Sequence, residues 1–325
     1  MKHVYLDQNK WVDLAAAEKG LAKGDRFGDA LTLLGAMVEA GDVSLPLSAA
    51  HYMEIHNRRN YRSRAELATT MLALSRMHTI APSSSLLPGE LDGAFRSIFG
   101  RPQTTRELKP FGQGVSHAFG FPVPIDPTVA EIVARRPDLV GAERGLAEFS
   151  EMVLLAGLPP EEEVNIPDYQ PLSHLEVAER NAEAKQALRK VRREGGWNKG
   201  EKAERVARAQ ALTEYLEPIH EALARAGIPF DDFLDLSQDA MTAFIGSVPC
   251  IYTASELERL RETASQKPWE RQDLNDLSAL SVAAVYCDVV VTERQWVAFA
   301  GRCDFEGRFG TVFLSDLAAL PAHLL

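Results

Sequence analysis

The sequence predicts an α/β protein: a Rossmann-like parallel sheet sandwiched by helices and interrupted by a mostly α-helical insertion. Two observations lead to this class. Short apolar strand patterns alternate with amphipathic helical patterns over residues 2–82, in the order β-α-α-β-α-α-β, which is typical of a parallel sheet. The same alternation returns over residues 255–325, whereas residues 127–247 are nearly all helical in pattern.

The N-terminal part contains three predicted strands, at residues 3–6, 43–47 and 78–81. Helical spacing of apolar residues predicts helices at 10–19, 25–40, 49–57 and 58–77. Ser48 is a plausible N-cap for the third of these helices, and Pro82 closes the third strand. We expect these elements to form half of a sheet.

The rest of the chain divides into three parts. Residues 83–124 are rich in Gly, Pro and Ser and only weakly periodic, and the helical segment follows. The C-terminal part contains predicted strands at 288–292 and 311–314, and predicted helices at 255–265, 274–286, 294–300 and from 315 onwards. We therefore predict one discontinuous domain made of residues 1–82 and 255–325, with residues 83–254 as a mainly helical insertion.

Composition limits the possible functions. With 325 residues, 46% of them hydrophobic and 25% charged, the chain has the composition of a soluble globular protein. No apolar run approaches the ~20 residues that a membrane span needs, and Asp7 interrupts the N-terminal apolar run too early for a signal peptide. The net charge of −11 argues against DNA binding by bulk electrostatics. The three cysteines form no CxxC pair, which favours a reducing cytoplasm over a zinc site or a disulfide framework.

Four acidic residues recur where strands end or helices begin. Asp7 follows the first strand, Glu54 lies in the helix after the second, Asp276 lies in the first turn of a predicted helix, and Glu293 follows V-V-V-T. Each also has a structural explanation, such as a helix cap, a helix-dipole contact or, for Glu54, an ion pair with Arg58. Because all four would meet at the carboxyl edge of one parallel sheet, where α/β proteins bind ligands, we expect a functional cluster there.

Three segments resemble the motifs of PIN-domain nucleases. V-Y-L-D-Q-N-K-W-V-D-L resembles the opening strand of that family, and L-P-L-S-A-A-H-Y-M-E resembles its second motif. N-D-L-S-A-L-S-V-A-A-V-Y-C-D-V-V-V-T-E-R resembles its third and fourth motifs. The resemblance covers residues 2–82 and 255–325, and it does not extend to the predicted insertion.

The resemblance implies a set of site residues. The acids that would bind metal and catalyse are Asp7, Glu54, Asp276 and Glu293. The side chains that would orient them are Asn9, Thr292 and Asp273, although turn or cap chemistry explains Thr292 equally well. In the family the fourth acid stands two residues after the Thr, whereas Glu293 is adjacent to it, so Asp273 and Asp288 remain alternatives for that position.

The chemistry that the resemblance implies is metal-dependent hydrolysis of phosphodiesters. Oxygen ligands without a requirement for Cys or His favour Mg²⁺ or Mn²⁺. One or two such ions would bind the scissile phosphate and promote attack by water. The resemblance further implies an endoribonuclease, with RNA favoured over DNA as the nucleic-acid partner and the choice between them left open, and a toxin–antitoxin or defence setting. It also suggests two kinds of protein partner: an inhibitor or antitoxin, and further copies of this chain in a homo-oligomer.

Substrate contacts would come from basic segments. Arg58, Arg59 and Arg62 follow the Glu54 helix directly and are the predicted substrate-binding residues, with Tyr61 available for base stacking. A second basic segment, residues 189–208, has eight basic residues against three glutamates, with Trp197 at its centre. This segment is equally consistent with a solvated helical face.

Two other functions are consistent with the sequence. One is a Rossmann-like phosphohydrolase acting on a small phosphorylated metabolite, although Gln8-Asn9-Lys10 stands where a Gly-rich phosphate loop would follow the first strand. The other is a non-catalytic interaction module in which the acids are structural and the helical insertion binds a protein partner.

Overall fold

The structure is a computed structural model that describes residues 1–100, 106–122, 143–158, 173–264 and 267–325. Its strands are β1 (Lys2–Leu6), β2 (Val43–Ser44), β3 (His78–Ile80), β4 (Phe111–Gln113), β5 (Val289–Val291) and β6 (Val312–Leu314). Four of them form a parallel sheet in the order β2-β1-β5-β6. The C-terminal strands therefore complete the N-terminal half-sheet, and the predicted α/β class with a parallel sheet is confirmed.

Both faces of this sheet are buried, which explains the uninterrupted apolar run at β5. Alternate strand residues point to opposite faces, so Val4 and Val291 pack into one apolar cluster while Tyr5 and Val290 pack into another. The first cluster includes Trp11 of the helix that follows β1. Helices thus cover the sheet on both sides, as expected for a parallel sheet.

The second and third predicted strands differ from expectation. β2 ends at Ser44 rather than continuing to residue 47, because Pro46 has no N–H with which to continue the ladder. β3 pairs antiparallel with β4, and it touches the parallel sheet through a parallel bridge between Leu47 and Thr79. The prediction that residues 78–81 form a regular strand of the parallel sheet is therefore wrong in its pairing.

The N-terminal helices are α1 (Gln8–Glu18), α2 (Gly28–Ala40), α3 (Ala49–Glu54) and α4 (Tyr61–Ser75). Two predicted helices are broken by a 3₁₀ turn, Ala22–Phe27 before α2 and Ile55–Asn57 after α3. The predicted helix at 58–77 starts later because the Asn60 side chain caps it by accepting a hydrogen bond from the Ser63 N–H.

The segment at 83–124 is more regular than its composition indicates. It contains α5 (Ser83–Phe99), β4 and α6 (Gly114–Phe119). In α5 the buried residues Leu87, Leu91 and Phe95 recur at helical spacing, although Pro88 lies inside the helix. The weak periodicity of this stretch did not reveal α5, because its Gly and Pro content hides an amphipathic helix.

The remaining helices confirm the mostly helical pattern after residue 127 wherever it is described. They are α7 (Glu143–Ala156), α8 (Ser173–Glu194), α9 (Gly200–Glu214), α10 (Leu216–Ala226), α11 (Phe230–Leu234), α12 (Gln238–Ser247), α13 (Pro249–Ala264), α14 (Arg271–Tyr286), α15 (Arg294–Arg302), α16 (Phe305–Phe309) and α17 (Pro321–Leu324). Residues 127–142 and 159–172 of the predicted helical segment lie outside the described residues. None of the described helices is long and apolar enough to cross a membrane.

The helical segment shares its core with the sheet. Phe95 of α5 and Phe244 of α12 belong to the same apolar cluster as Val290 of β5 and Leu280 of α14. In addition, α13 begins at Pro249 and runs across the boundary predicted at residue 254. The domain limits themselves remain a prediction.

Candidate active site

Asp7 lies at the carboxyl end of β1, where it joins two neighbouring strands. Its backbone N–H donates to the Val291 carbonyl of β5 at 2.9 Å. Its carboxylate accepts from the Gln8 N–H at 2.7 Å and from the buried Thr292 hydroxyl at 3.0 Å. Asp7 is therefore the N-cap of α1 and also a largely buried carboxylate at the sheet edge.

His51 fixes the helix that carries Glu54 against the end of β1. The Nδ1 atom of His51 accepts from the Ser48 N–H at 2.8 Å, and its Nε2–H donates to the Leu6 carbonyl at 2.8 Å. Burial lowers the pKa of His51 to about 4, so the ring is neutral at pH 7. His51 is thus structural, and it places Glu54 of α3 near Asp7.

Asp276 lies in the second turn of α14, because this helix starts at Arg271, earlier than predicted. The expected position in the first turn is wrong, and the helix-dipole explanation for this acid loses its basis. The indole Nε1–H of the buried Trp296 donates to Asp276 Oδ2 at 2.8 Å. The neighbouring Asn275 side chain hydrogen-bonds Glu54, so α14 supplies one acid and holds another.

The electrostatics show that the four acids form one cluster. Burial raises the pKa of Asp7, raises that of Glu54 to about 7, and raises that of Asp276 well above its usual range. The charge on Asp7 adds to the increase at Glu54 and Asp276, and Glu293 adds to it at all three. Lys10 opposes the effect at Asp7 only partly. The structure therefore brings together Asp7, Glu54, Asp276 and Glu293.

Glu293 occupies the outer side of the cluster. It is exposed, it is the N-cap of α15, and its Oε1 accepts a long hydrogen bond of 3.5 Å from the Asn9 amide. The two alternatives for the fourth acid are engaged elsewhere. Asp288 lies at the amino end of β5, where it accepts from the His3 N–H at 2.7 Å, and Asp273 accepts two hydrogen bonds from the buried Arg261.

The donor atoms at this edge are of the type that hard cations bind. Besides the carboxylates, the Asn9 side chain lies here, since its amide nitrogen donates to Glu293, and its amide oxygen is buried with no hydrogen-bond partner among the described residues. Buried polar oxygens without a donor are costly, and a cation would satisfy them. Within the described parts of the chain, no group of three or more His, Cys, Asp or Glu side chains is arranged to hold a metal ion. An ion would therefore have to draw the carboxylates together.

The arginines of the first basic segment, residues 58–64, differ in their contacts and exposure. The side chains of Arg58 and Arg62 contact Ser63 and Glu66, respectively, while Arg59 is exposed. Arg64 is buried and donates to the Ala156 carbonyl at 2.6 Å.

The second basic segment is less open than the sequence indicates. Arg189 and Arg192 are buried, and both donate to Glu262, Arg189 to its carbonyl and Arg192 to its carboxylate. Trp197 is 49% exposed. At least two of its eight basic residues therefore serve the interior of the helical segment.

Sequence reasoning missed three residues that act on the cluster: Trp296, Asn275 and Arg271. Asn275 has a detectable signal, since it immediately precedes a proposed acid. Trp296 has none, because its contact with Asp276 depends on how α15 packs against α14. Arg271 lowers the pKa of Glu54 through its charge. It was missed because the helix was predicted to begin at residue 274, whereas it begins at Arg271.

A scan against protein-family models and searches of curated proteins and of solved structures find nothing that matches the chain. The resemblance to PIN-domain nucleases therefore depends on the motif residues and on the cluster that they form.

We expect Trp296→Phe to weaken Mn²⁺ binding by about tenfold, because a hydrogen bond that orients a metal ligand is typically worth that much. Phe keeps most of the packing and removes the donor to Asp276. The measurement is a Mn²⁺ titration of the two proteins. Trp197→Phe, on the exposed side of the helical segment, should leave Mn²⁺ affinity unchanged; equal losses in both variants would contradict the assignment.

Proposed function

We propose that this protein is a metal-dependent nuclease of the PIN-like type, an endoribonuclease that hydrolyses phosphodiesters by attack of water. The observation that carries the proposal is the cluster of Asp7, Glu54, Asp276 and Glu293 at one edge of a parallel sheet. Three of these carboxylates, Asp7, Glu54 and Asp276, are partly or largely buried, and burial raises the pKa of each. The charge of Glu293 adds to this increase at all three, and that of Asp7 adds to it at the other two. Buried charges are normally paired or bound to a cation, and Mg²⁺ or Mn²⁺ would supply that cation here.

The roles of the residues follow from their positions. Asp7 lies between the ends of β1 and β5 and would be the central ligand, with Thr292 and the Gln8 N–H fixing its rotamer. Glu54 and Asp276 would close the site from α3 and α14. When bound, the ion would neutralise charge on the scissile phosphate and make a water molecule more acidic.

Nucleophilic and histidine-based mechanisms are less well supported by the same surroundings. Both ring nitrogens of His51 are engaged, and its lowered pKa makes it a poor base. Burial raises the pKa of the Cys250 and Cys287 thiols, which disfavours the reactive thiolate. Neither His51 nor these two cysteines offers a better site than the carboxylates.

The experiment is a cleavage assay with internally and end-labelled nucleic acids. The wild-type protein is incubated with single-stranded RNA, structured RNA and single-stranded DNA, in Mg²⁺, in Mn²⁺ and in EDTA. We expect internal cuts in RNA that require metal. Release of inorganic phosphate from small phosphomonoesters without cutting of polymers would favour a phosphohydrolase, and no hydrolysis of either class would favour an interaction module.

A further inference from the structure

Arg271 lies beside the carboxylate cluster on the same helix as Asp276. It is the first residue of α14, and Asn275 follows one helical turn later on the same face. Because Asn275 hydrogen-bonds Glu54, this face of α14 points toward the cluster, and the charge on Arg271 lowers the pKa of Glu54. Arg271 is therefore a cation at the edge of a site that would otherwise repel phosphate.

The partner of Arg271 comes from the helical segment. Its Nη1 lies 3.3 Å from Oε1 of Glu179 on α8, and the two side chains are 21% and 62% exposed, respectively. A solvent-exposed ion pair of this kind contributes little net stability, so another anion can replace Glu179 at small cost. Asp273, in contrast, is bound to Arg261, whose side chain is 1% exposed, and is not exchanged so easily.

Arg271 also opens onto a groove. A depression of about 960 Å³ lies between α8 and residues 269–272, and its lining includes Arg271, Gln272, Glu179 and Glu183. A single-stranded nucleic acid that is bound at the carboxylates and continues past Arg271 would enter this groove. A guanidinium in such a position suits a phosphate, to which it can donate two parallel hydrogen bonds.

We propose that Arg271 binds the substrate phosphate that neighbours the scissile phosphate, and that Glu179 forms an ion pair with Arg271 when no substrate is bound. Glu179 would then act as an internal competitor by which the helical segment restrains the site. This inference rests on the proposed nuclease function. It predicts contact with the backbone of the nucleic acid and no preference for a base.

The test is a double-mutant cycle on the affinity for fluorescein-labelled single-stranded RNA, measured by anisotropy in Ca²⁺ with the full chain. We expect Arg271→Ala to weaken binding about tenfold or more, as for loss of a charge-assisted hydrogen bond. Glu179→Gln should tighten binding about two- to fivefold, the range of an exposed ion pair. In the Arg271→Ala background, Glu179→Gln should no longer tighten RNA binding.

The control is Glu183→Gln, which removes the same charge one turn further along α8 in the same groove. An equal gain from Glu183→Gln, an unchanged gain in the Arg271→Ala background, or no RNA binding by the wild type would overturn the inference. Cleavage in Mn²⁺, measured separately on the wild type, decides the proposed function independently of this cycle.

Discussion

Asp7→Asn is expected to lower the rate of RNA cleavage by about a thousandfold or more. The substitution removes the charge of the central carboxylate, and the electrostatic contribution of a catalytic metal is about 4 kcal/mol or more, which corresponds to that factor. The fold should survive, because Asn is as good an N-cap as Asp. Its Oδ1 can still accept from the Gln8 N–H, and its Nδ2 can donate to the Thr292 hydroxyl oxygen, which then acts as an acceptor.

The same variant should separate catalysis from stability. In EDTA we expect Asp7→Asn to melt no lower than the wild type, because burial and the nearby Glu293 disfavour the charged carboxylate. Mg²⁺ or Mn²⁺ should stabilise the wild type by about 2.7 kcal/mol at a hundredfold excess over its dissociation constant, and the variant much less.

Asp288→Asn is the matched control for this prediction. Asp288 lies at the amino end of β5, on the opposite edge of the sheet, and an Asn there can still accept from the His3 N–H. Activity and the response to metal should be unchanged. If Asp7 serves only as a helix cap, Asp7→Asn will behave like this control, which would contradict the proposed site.

Glu54→Gln is expected to stabilise the metal-free protein at high pH by up to about 3 kcal/mol. The pKa of Glu54 is raised to about 7 from an ordinary value of 4.5, mainly by burial and next by the charge of Asp7. A pKa difference of one between the folded and unfolded states corresponds to about 1.4 kcal/mol. Gln keeps the shape and removes the charge that the folded state must bury.

The sign of the pH dependence follows from proton binding. Between pH 4.5 and pH 7 the folded protein holds a proton on Glu54 that the unfolded chain has lost, so the wild type gains stability as the pH falls through this window. The advantage of Glu54→Gln should therefore be full above pH 7 and absent below pH 4.5. The pKa of His51 is lowered to about 4, so protonation of His51 makes the protein less stable as the pH falls. This contribution is the same in both proteins and cancels in the difference between their unfolding free energies.

The measurement is the difference in unfolding free energy between Glu54→Gln and the wild type, from urea denaturation at several pH values in EDTA. Glu66→Gln provides a control of opposite sign, since hydrogen bonds from Lys19 and Arg62 lower the pKa of Glu66. A flat difference for Glu54→Gln across the pH window would mean that Glu54 is solvated and outside the cluster.

Strands β1 and β5 were predictable because their signals are local. The apolar run at residues 289–291 and the acid that follows β1 identify strand ends without any knowledge of packing. Parallel strands place their carboxyl ends at one edge, so the convergence of Asp7, Glu54, Asp276 and Glu293 followed from the order of elements.

The parts that were not predictable depend on contacts between distant segments. α5 is hidden by Gly and Pro residues, and its helical form becomes favourable because Leu91 and Phe95 are buried in the apolar cluster, where Phe95 contacts Phe233 and Phe244 of the helical segment. Similarly, nothing near Arg192 in the sequence shows that Glu262 neutralises it in the interior. The sequence left this basic run open between a nucleic-acid surface and a solvated helical face, and neither alternative included the internal ion pair of Arg192 with Glu262.

The most direct test of the central claim is a crystal structure of the protein soaked in Mn²⁺, with anomalous data collected at the manganese edge. We predict a peak bound by Asp7 together with Glu54 or Asp276, at the carboxyl edge of β1 and β5. A peak that is absent from this edge, in crystals where Mn²⁺ binds elsewhere, or a cluster whose carboxylates remain apart in excess Mn²⁺, would contradict the account.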